Sequence, residues 1–243
     1  MRQSGLALAL ADRLDSLAGL FAIGLAPTGA KDPFGLRRAA LGVVQPLLEH
    51  DREFDLAKAV QKAAKLQPIK IEAKRQQEVL DFLAVRLAVV FKEAGHRYDV
   101  VDAVLAEQAT NPASAARAVE QLESWLERDD WRTILPAFAR CVRITRDQKK
   151  KFAVEAKALS EKEEKDLFHA LQKAEAALRA SKRREPDALL NAFVPMIPAI
   201  DAFFDKVLVM AKGKAVRENR LGLLQRISAM GHGIADLSKV EGF

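Results

Sequence analysis

The sequence has few of the residue types on which disulfide-rich, metal-binding and membrane-spanning proteins depend. It contains one cysteine, Cys141, which excludes an internal disulfide framework and a four-cysteine zinc site. Four histidines leave little for a histidine-rich metal centre, and aromatic residues make up only 6% of the chain, which disfavours a β-sandwich or barrel. No apolar run approaches the roughly 18 residues of a membrane span. Met1–Gly5 lacks a secretory pattern, so we expect a cytoplasmic protein with no membrane partner.

Apolar residues, by contrast, are plentiful and recur at helical spacing. They make up 49% of the chain, enough to bury a core. Val79, Leu83 and Leu87 illustrate the three- and four-residue steps, whereas strand-like alternation never exceeds four residues. The predicted helices are residues 6–23, 55–66, 76–94, 98–107, 114–127, 131–152, 187–210 and 216–230, with others starting near residues 33 and 161. The 187–210 helix is expected to break at Pro195 and Pro198. The sequence therefore predicts an all-α fold.

Several turn signals separate these helices. Residues 27–34 contain two prolines and a glycine and predict a loop, in which Asp32-Pro33 is read as the N-cap and first position of the next helix. Gln67-Pro68 ends a helix and is the predicted domain boundary. Ser160-x-x-Glu163 matches a capping box, which predicts a helix start at that point.

The charge is distributed unevenly along the chain. The net charge is +6, but residues 1–135 carry 18 basic against 19 acidic side chains, whereas residues 136–243 carry 21 against 14. All of the basic excess is therefore in the second half. Such asymmetry is typical of a polyanion-binding surface, most often for nucleic acid, and a solvated charged surface is the alternative.

Three motifs with catalytic or metal-binding potential are weak. His50-Asp51 resembles the metal-binding pair of HD phosphohydrolases, but the other histidines are far away in sequence. Asp12 and Asp15 share a helix face beside Arg13, which favours a structural ion pair over a metal site. Cys141 has arginine neighbours but no evident general base, so we interpret it as a semi-buried structural residue. The sequence contains no recognisable catalytic apparatus, and we expect no metal site.

A basic stripe is the more informative feature. Its members, at three- and four-residue steps on a predicted helix, are Arg140, Arg143, Arg146 and Lys150, and Lys149 and Lys151 widen it. Arginines can fork onto phosphate oxygens or stack on bases, so the stripe is a candidate nucleic-acid-binding surface. A second basic pair, Arg217 and Arg220, lies one turn apart on the last long helix. A third cluster, Arg179 and residues 182–184, lies at a turn.

Several stretches closely resemble the β subunit of bacterial tetrameric glycyl-tRNA synthetase. They are residues 10–24, 27–42, 95–104, 201–210, 216–224 and 235–238, and the likeness extends over nearly the whole chain. The later stretches resemble the helical anticodon-binding domain shared with arginyl-tRNA synthetase. Since that β subunit is far longer than this chain, the likeness is to its C-terminal portion. One departure is residues 211–215, Ala-Lys-Gly-Lys-Ala, which are more basic than the acidic segment of the family.

The resemblance implies a domain order and a function. Residues 1–66 would be the C-terminal remnant of an HD-like domain, and residues 67–243 a helical anticodon-binding-type domain. The chain would bind the anticodon side of tRNA(Gly), and the α subunit, or a fused α portion, would join glycine to that tRNA using ATP and Mg²⁺. This chain would then hold no cofactor and no catalytic residues. Lys31, Arg37 and Arg38, inside the second matching stretch, join the stripe and the pair Arg217 and Arg220 as candidate tRNA-binding residues.

Two other functions stay open at this point. One is a fragment of an HD-type metal phosphohydrolase, which would show stoichiometric metal in the purified chain. The other is a purely structural helical module whose basic stripe contacts acidic protein.

Overall fold

The structure, a computed structural model, describes residues 3–243, and its regular elements are helices. They are α1 (Gln3–Ala22), α2 (Leu36–Glu49), α3 (Leu56–Leu66), α4 (Ala73–Glu93), α5 (Tyr98–Gln108), α6 (Pro112–Leu126), α7 (Trp131–Thr145), α8 (Lys162–Ala180), α9 (Pro186–Phe193), α10 (Ile197–Lys206) and α11 (Lys214–Ser228). Short 3₁₀ turns lie at Ala156–Ala158, Val194–Met196, Ala229–Gly231 and Leu237–Lys239. Within the described residues no β-strand forms, which confirms the all-α prediction.

The chain forms two compact units, with the boundary between Val119 and Glu120 inside α6. The predicted boundary at Gln67-Pro68 falls within the first unit. There, α4 packs on α1, α2 and α3, so the helix after the proline completes the same core. A proline turn ends a helix but does not by itself end a domain. The HD-like and anticodon-binding identities assigned to residues 1–66 and 67–243 stay predictions.

The first unit is held together by apolar faces that the sequence pattern indicates. In α4 the buried side chains Val79, Leu83, Leu87 and Phe91 follow one another at four-residue steps. They pack with α1 and α2, whose buried residues include Leu17, Leu36, Val43, Val44 and Leu47. The predicted loop after α1 is confirmed, and Gly24, with a φ of 78°, supplies the left-handed turn that ends the helix.

The start of α2 differs from the prediction in register. The helix begins at Leu36, so Asp32-Pro33 is not its N-cap and first position. The Asp32 carboxylate nevertheless caps it, because its two oxygens accept the backbone N–H groups of Leu36 (2.8 Å) and Arg37 (3.0 Å). Asp32 thus caps the helix across an intervening turn, residues 33–35, and not from the position directly before its first residue.

The second unit packs α11 against α7, and α8 against α9 and α10. Phe193, Ile200 and Phe203 are fully buried in its core. Residues Pro186–Lys206, interrupted by the 3₁₀ turn, are long and apolar enough to cross a membrane by length and composition alone, contrary to the sequence expectation. The helices of this stretch pack on α8, as core helices do, and Asp187, Asp201 and Asp205 lie within it.

The predicted capping box of α8 is wrong by one residue. Glu161 and Glu164 form it: each side chain accepts the backbone N–H of the other residue, and α8 begins at Lys162. Glu164 takes this role instead of Glu163 because it points inward, with 2% of its surface exposed. There it also accepts the backbone N–H of Ser160 at 2.8 Å.

Candidate nucleic-acid interface

Helix α7 has one buried face, and its C-terminal end carries basic residues. Ile134, Phe138 and Cys141 are buried on one side, where α11 packs. The helix ends at Thr145, seven residues earlier than the sequence predicts. The predicted stripe is therefore divided, with Arg140 and Arg143 on α7, Arg146 at its C-cap and Lys150 in the segment beyond.

The four stripe residues have different surroundings. Arg140 is half-buried and engaged with α10, because its guanidinium lies 3.0 Å from the Asp201 carboxylate and 4.4 Å from the Phe204 ring centre. Arg143 is exposed, with its guanidinium 5.5 Å from the Phe243 ring centre. Arg146 and Lys150 are exposed, and neither forms a salt bridge within residues 3–243. The structure thus keeps three of the four available for an anion.

The chain after α7 is held on α11 by two amide side chains. Gln225 accepts the backbone N–H of Phe152 at 2.9 Å and donates to the Lys150 carbonyl at 2.7 Å. Asn219 accepts the backbone N–H of Glu155 at 2.7 Å and donates to the carbonyl of the same residue at 3.2 Å. We call residues 150–155 the strap. Because the strap is neither helix nor strand, side chains of α11 form the hydrogen bonds that its backbone N–H and C=O groups need.

Gly222 makes this close approach possible. It lies three residues from each amide, on the same stretch of α11, and a Cβ at this position would lie 2.8 Å from the Phe152 carbonyl oxygen. Any larger residue would push the strap away from the helix. Asn219-x-x-Gly222-x-x-Gln225 is therefore a backbone-binding face, which the helical periodicity of α11 alone does not reveal.

The strap places an exposed cluster of cations at the end of α7. We define the basic segment as Arg143, Arg146, Lys149, Lys150 and Lys151, all of which are exposed. Within the described part of the chain none of the five forms a salt bridge, although Asp147 lies among them. Cations near a helix C-terminus also interact favourably with its terminal carbonyls, which accounts for part of their presence.

The pair on α11 is not available as predicted. Arg220 is buried, and its guanidinium donates to Glu164 and Glu161 at 2.5 Å each and to the Leu208 carbonyl at 2.9 Å. Its tRNA-binding assignment is corrected to a structural role, because a side chain with 6% exposure and three partners cannot reach a ligand. Arg217 is half-buried and donates to the Ala211 carbonyl at 3.0 Å.

The three candidates from the first unit lie near the start of α2. Lys31 and Arg38 are exposed, while Arg37 is half-buried and donates to the Gly29 carbonyl in the loop before the helix. The structure thus gives Arg37 a loop-fixing contact and keeps Lys31 and Arg38 at the surface. Their tRNA-binding role stays a prediction.

The weak catalytic motifs have structural roles. Asp51 forms an ion pair with Arg117, which also pairs with Glu53. Asp15 accepts a hydrogen bond from Gln67 at 2.6 Å in place of the expected ion pair. Across residues 3–243 there is no group of three or more His, Cys, Asp or Glu side chains that could hold a metal ion.

Cys141 is fully buried, which makes it unsuited to nucleophilic chemistry. Burial raises the pKa of its thiol to about 12, although Arg140 acts in the opposite direction. Its Sγ donates weakly to the Ala137 carbonyl at 3.5 Å. The thiol therefore stays protonated at neutral pH, in agreement with the structural interpretation.

Two different family models match the chain, one on each of its two parts. Residues 1–106 match the family model described as glycyl-tRNA synthetase β subunit, and residues 134–235 match that of the DALR anticodon-binding domain. The second match contains all but the first three residues of α7, together with the basic segment, the strap and α11. The family model thus covers the same stretch that the geometry singles out.

Individual relatives match almost the whole chain. The glycine–tRNA ligase β subunit of Myxococcus xanthus is 37% identical over 249 residues, and that of Moorella thermoacetica is 36% identical over 250; each match covers 98% of this chain and 35% of the relative. The chloroplastic/mitochondrial glycine–tRNA ligase 2 of Arabidopsis thaliana is 34% identical over 242 residues, 99% of this chain and 22% of the relative. The chain thus spans about a third of the bacterial relatives' length. These matches identify it as a member of the bacterial-type glycyl-tRNA synthetase β-subunit family, corresponding to the C-terminal portion of that subunit.

Proposed function

We propose that this chain is a tRNA-binding part of glycyl-tRNA synthetase, and that its second unit binds the anticodon side of tRNA(Gly). The joining of glycine to that tRNA, with ATP and Mg²⁺, is assigned to the α subunit or to a fused α portion. The observation that carries the proposal is the basic segment: five exposed cations, without salt bridges in the described structure, on the stretch that matches an anticodon-binding family model. Such cations bind phosphates at any sequence, so they position an RNA rather than read it.

The division of labour predicts that this chain alone shows no glycine-dependent exchange between ATP and pyrophosphate. The expectation follows from the family resemblance, in which the chemistry belongs to the α part. The assay measures incorporation of labelled pyrophosphate into ATP with and without glycine. Exchange by a preparation free of host synthetases would contradict the assignment of catalysis to another subunit.

Loss of Arg143 and Arg146 together is expected to weaken tRNA binding and its salt dependence. Each neutralised phosphate on a single-stranded segment contributes about 0.7 to the slope of log K against log salt concentration, so the slope should fall by somewhat more than one. Affinities of tRNA(Gly) and of a non-cognate tRNA are measured at several salt concentrations. Equal losses for both indicate phosphate contacts, whereas a loss of about 1–3 kcal/mol confined to tRNA(Gly) indicates a base contact.

A matched pair of cations in the first unit serves as the control. Lys62 and Lys65 are also three residues apart on one helix, and both are exposed. Their double alanine variant removes the same charge and should leave the slope unchanged. If the Arg143 and Arg146 variant also keeps the parental affinity and slope while folded, the basic segment is only a solvated surface and the proposal fails.

A further inference from the structure

The second unit contains a cavity beside the basic segment that the proposed function has not used. It lies between the C-terminal ends of α8 and α11 and has a volume of about 510 Å³. Its lining residues are Glu175, Leu178, Arg179, Ser181, Arg184, Arg226, Ala229 and Met230. Three arginines and one carboxylate give the cavity an excess of positive charge, and the adjacent turn adds Lys182 and Arg183.

The guanidinium of Arg226 is held in a fixed orientation at the wall of this cavity. Its Nε donates to one Glu175 oxygen at 3.0 Å and its Nη2 to the other at 2.6 Å, a bidentate pairing. The Phe168 ring centre lies 5.5 Å from the guanidinium carbon. In the described structure Nη1 makes no hydrogen bond, so the fixed guanidinium retains donors for a ligand. A planar group fixed in this way loses little conformational entropy when a second planar group stacks on it.

The rest of the cavity combines an apolar floor with cations at its rim. Leu178 and Met230 are buried and contribute apolar surface. Arg179 is 71% exposed at the side chain and lies 3.8 Å from Glu175, while Arg184 is exposed and donates to the His232 carbonyl at 3.2 Å. A flat apolar ring would contact the floor, and an attached anionic group would meet the rim.

The last turns of α11 connect the cavity with the basic segment. Gln225 holds the strap, whereas the next residue, Arg226, lines the cavity. Close by on the same helix, the Ser228 Oγ lies 3.3 Å from the Thr145 Oγ1 at the end of α7. The next two residues, Ala229 and Met230, line the cavity. A helix is only about 10 Å across, so one polyanionic strand can contact both sites.

We propose that this cavity receives one unstacked base of a single-stranded RNA, with the base on the Arg226 guanidinium and a flanking phosphate at Arg179 and Arg184. The inference rests on the proposed function and adds to it a site that distinguishes single strands from duplexes. Bases in a duplex are stacked on one another, so only an unpaired nucleotide can enter. The basic segment, by contrast, contacts phosphates in either form.

The test measures binding of the full chain to a short unstructured RNA and to a duplex RNA of the same length. Arg226→Lys keeps the charge but removes the planar group, so we expect single-strand affinity to fall between about fivefold and about 150-fold, the equivalent of 1–3 kcal/mol for one stacked base. Duplex affinity and both salt slopes should stay at the parental values. Arg128→Lys is the control, because Arg128 also pairs bidentately with a carboxylate, Asp130, and lies 4.1 Å from a ring, Trp125, but outside this cavity.

A second measurement needs no protein variant and covers the case in which Arg226→Lys does not fold. Single abasic substitutions are moved along the RNA, and the inference expects a marked loss of affinity at one position relative to its neighbours. If the RNA binds but neither Arg226→Lys nor any abasic position lowers affinity, this inference is overturned and the proposed function survives. If no RNA binds, the proposed function fails as well. Equal competition by poly-glutamate would overturn the RNA site in favour of an acidic protein partner.

Discussion

Replacing Arg220 by alanine is expected to lower the free energy of unfolding of the second unit by about 3–5 kcal/mol, the usual cost of removing one partner of a buried ion pair. Glu164, which is 2% exposed in the parent, would keep only the backbone N–H groups of Ser160 and Glu161 and the Ser160 hydroxyl as partners. The Leu208 carbonyl would also lose its donor. Urea unfolding of the parent and the variant, followed by circular dichroism, measures the difference.

Arg217→Ala is the matched control for this variant. Arg217 lies one turn earlier on α11, is half-buried and makes one hydrogen bond to a carbonyl, so its loss should cost about 1 kcal/mol or less. If Arg220→Ala is no more destabilising than Arg217→Ala, the buried ion pair does not contribute as the structure indicates.

The same ion pair predicts a dependence of stability on pH. Burial raises the pKa of Glu164, but the hydrogen bonds from Arg220 and from the backbone of Glu161 and Ser160 outweigh it, so its pKa lies below the ordinary 4.5. A lowered pKa in the folded state contributes stability that is present at neutral pH and lost as the pH falls through that pKa. Unfolding curves between neutral pH and pH 3 should show this loss in the parent and a smaller one in Arg220→Ala.

Leu83→Ala and Leu224→Ala are each expected to cost about 2–5 kcal/mol, through lost burial and the cavity left behind. Leu83 is 1% exposed on α4 in the first unit, and Leu224 is fully buried on α11 in the second. Thermal melting should therefore report one destabilisation in each unit. Leu8→Ala is the control, since Leu8 is 72% exposed on α1 and its truncation removes little buried area. Melting of both core variants within about a degree of the parent would mean that the buried faces are wrongly assigned.

Local sequence signals were sufficient where neighbours in the sequence decide the structure. The four-residue steps of α4, the loop after α1 and the helix-ending Gly24 depend on residues within one or two turns. The capping role of Asp32 was also found, although the start of α2 was placed three residues too early. Such features need no knowledge of distant partners, and they establish the all-α class.

The errors occurred where partners far apart in sequence decide the structure. Arg220 and Lys150 were both placed on basic faces, but Arg220 pairs with Glu164, 56 residues earlier, and Lys150 follows a helix that ends early because α11 binds the next segment. No periodicity within α7 indicates that Gln225, 75 residues away, offers an alternative partner to the backbone of residues 150 and 152. The sequence therefore indicates which segment is rich in cations, but not which of those cations the fold engages in other contacts.

The position of the strap and the charge that it carries depend on different parts of its residues, the backbone and the lysine side chains respectively. Gln225 and Asn219 hold backbone atoms, and Gly222 provides the space, so none of the three interacts with a lysine side chain. Exchange of Lys150 or Lys151 for another residue thus leaves the segment in place and changes only its charge. Binding strength at this surface can be tuned, by natural variation or by design, without loss of the fold that supports it.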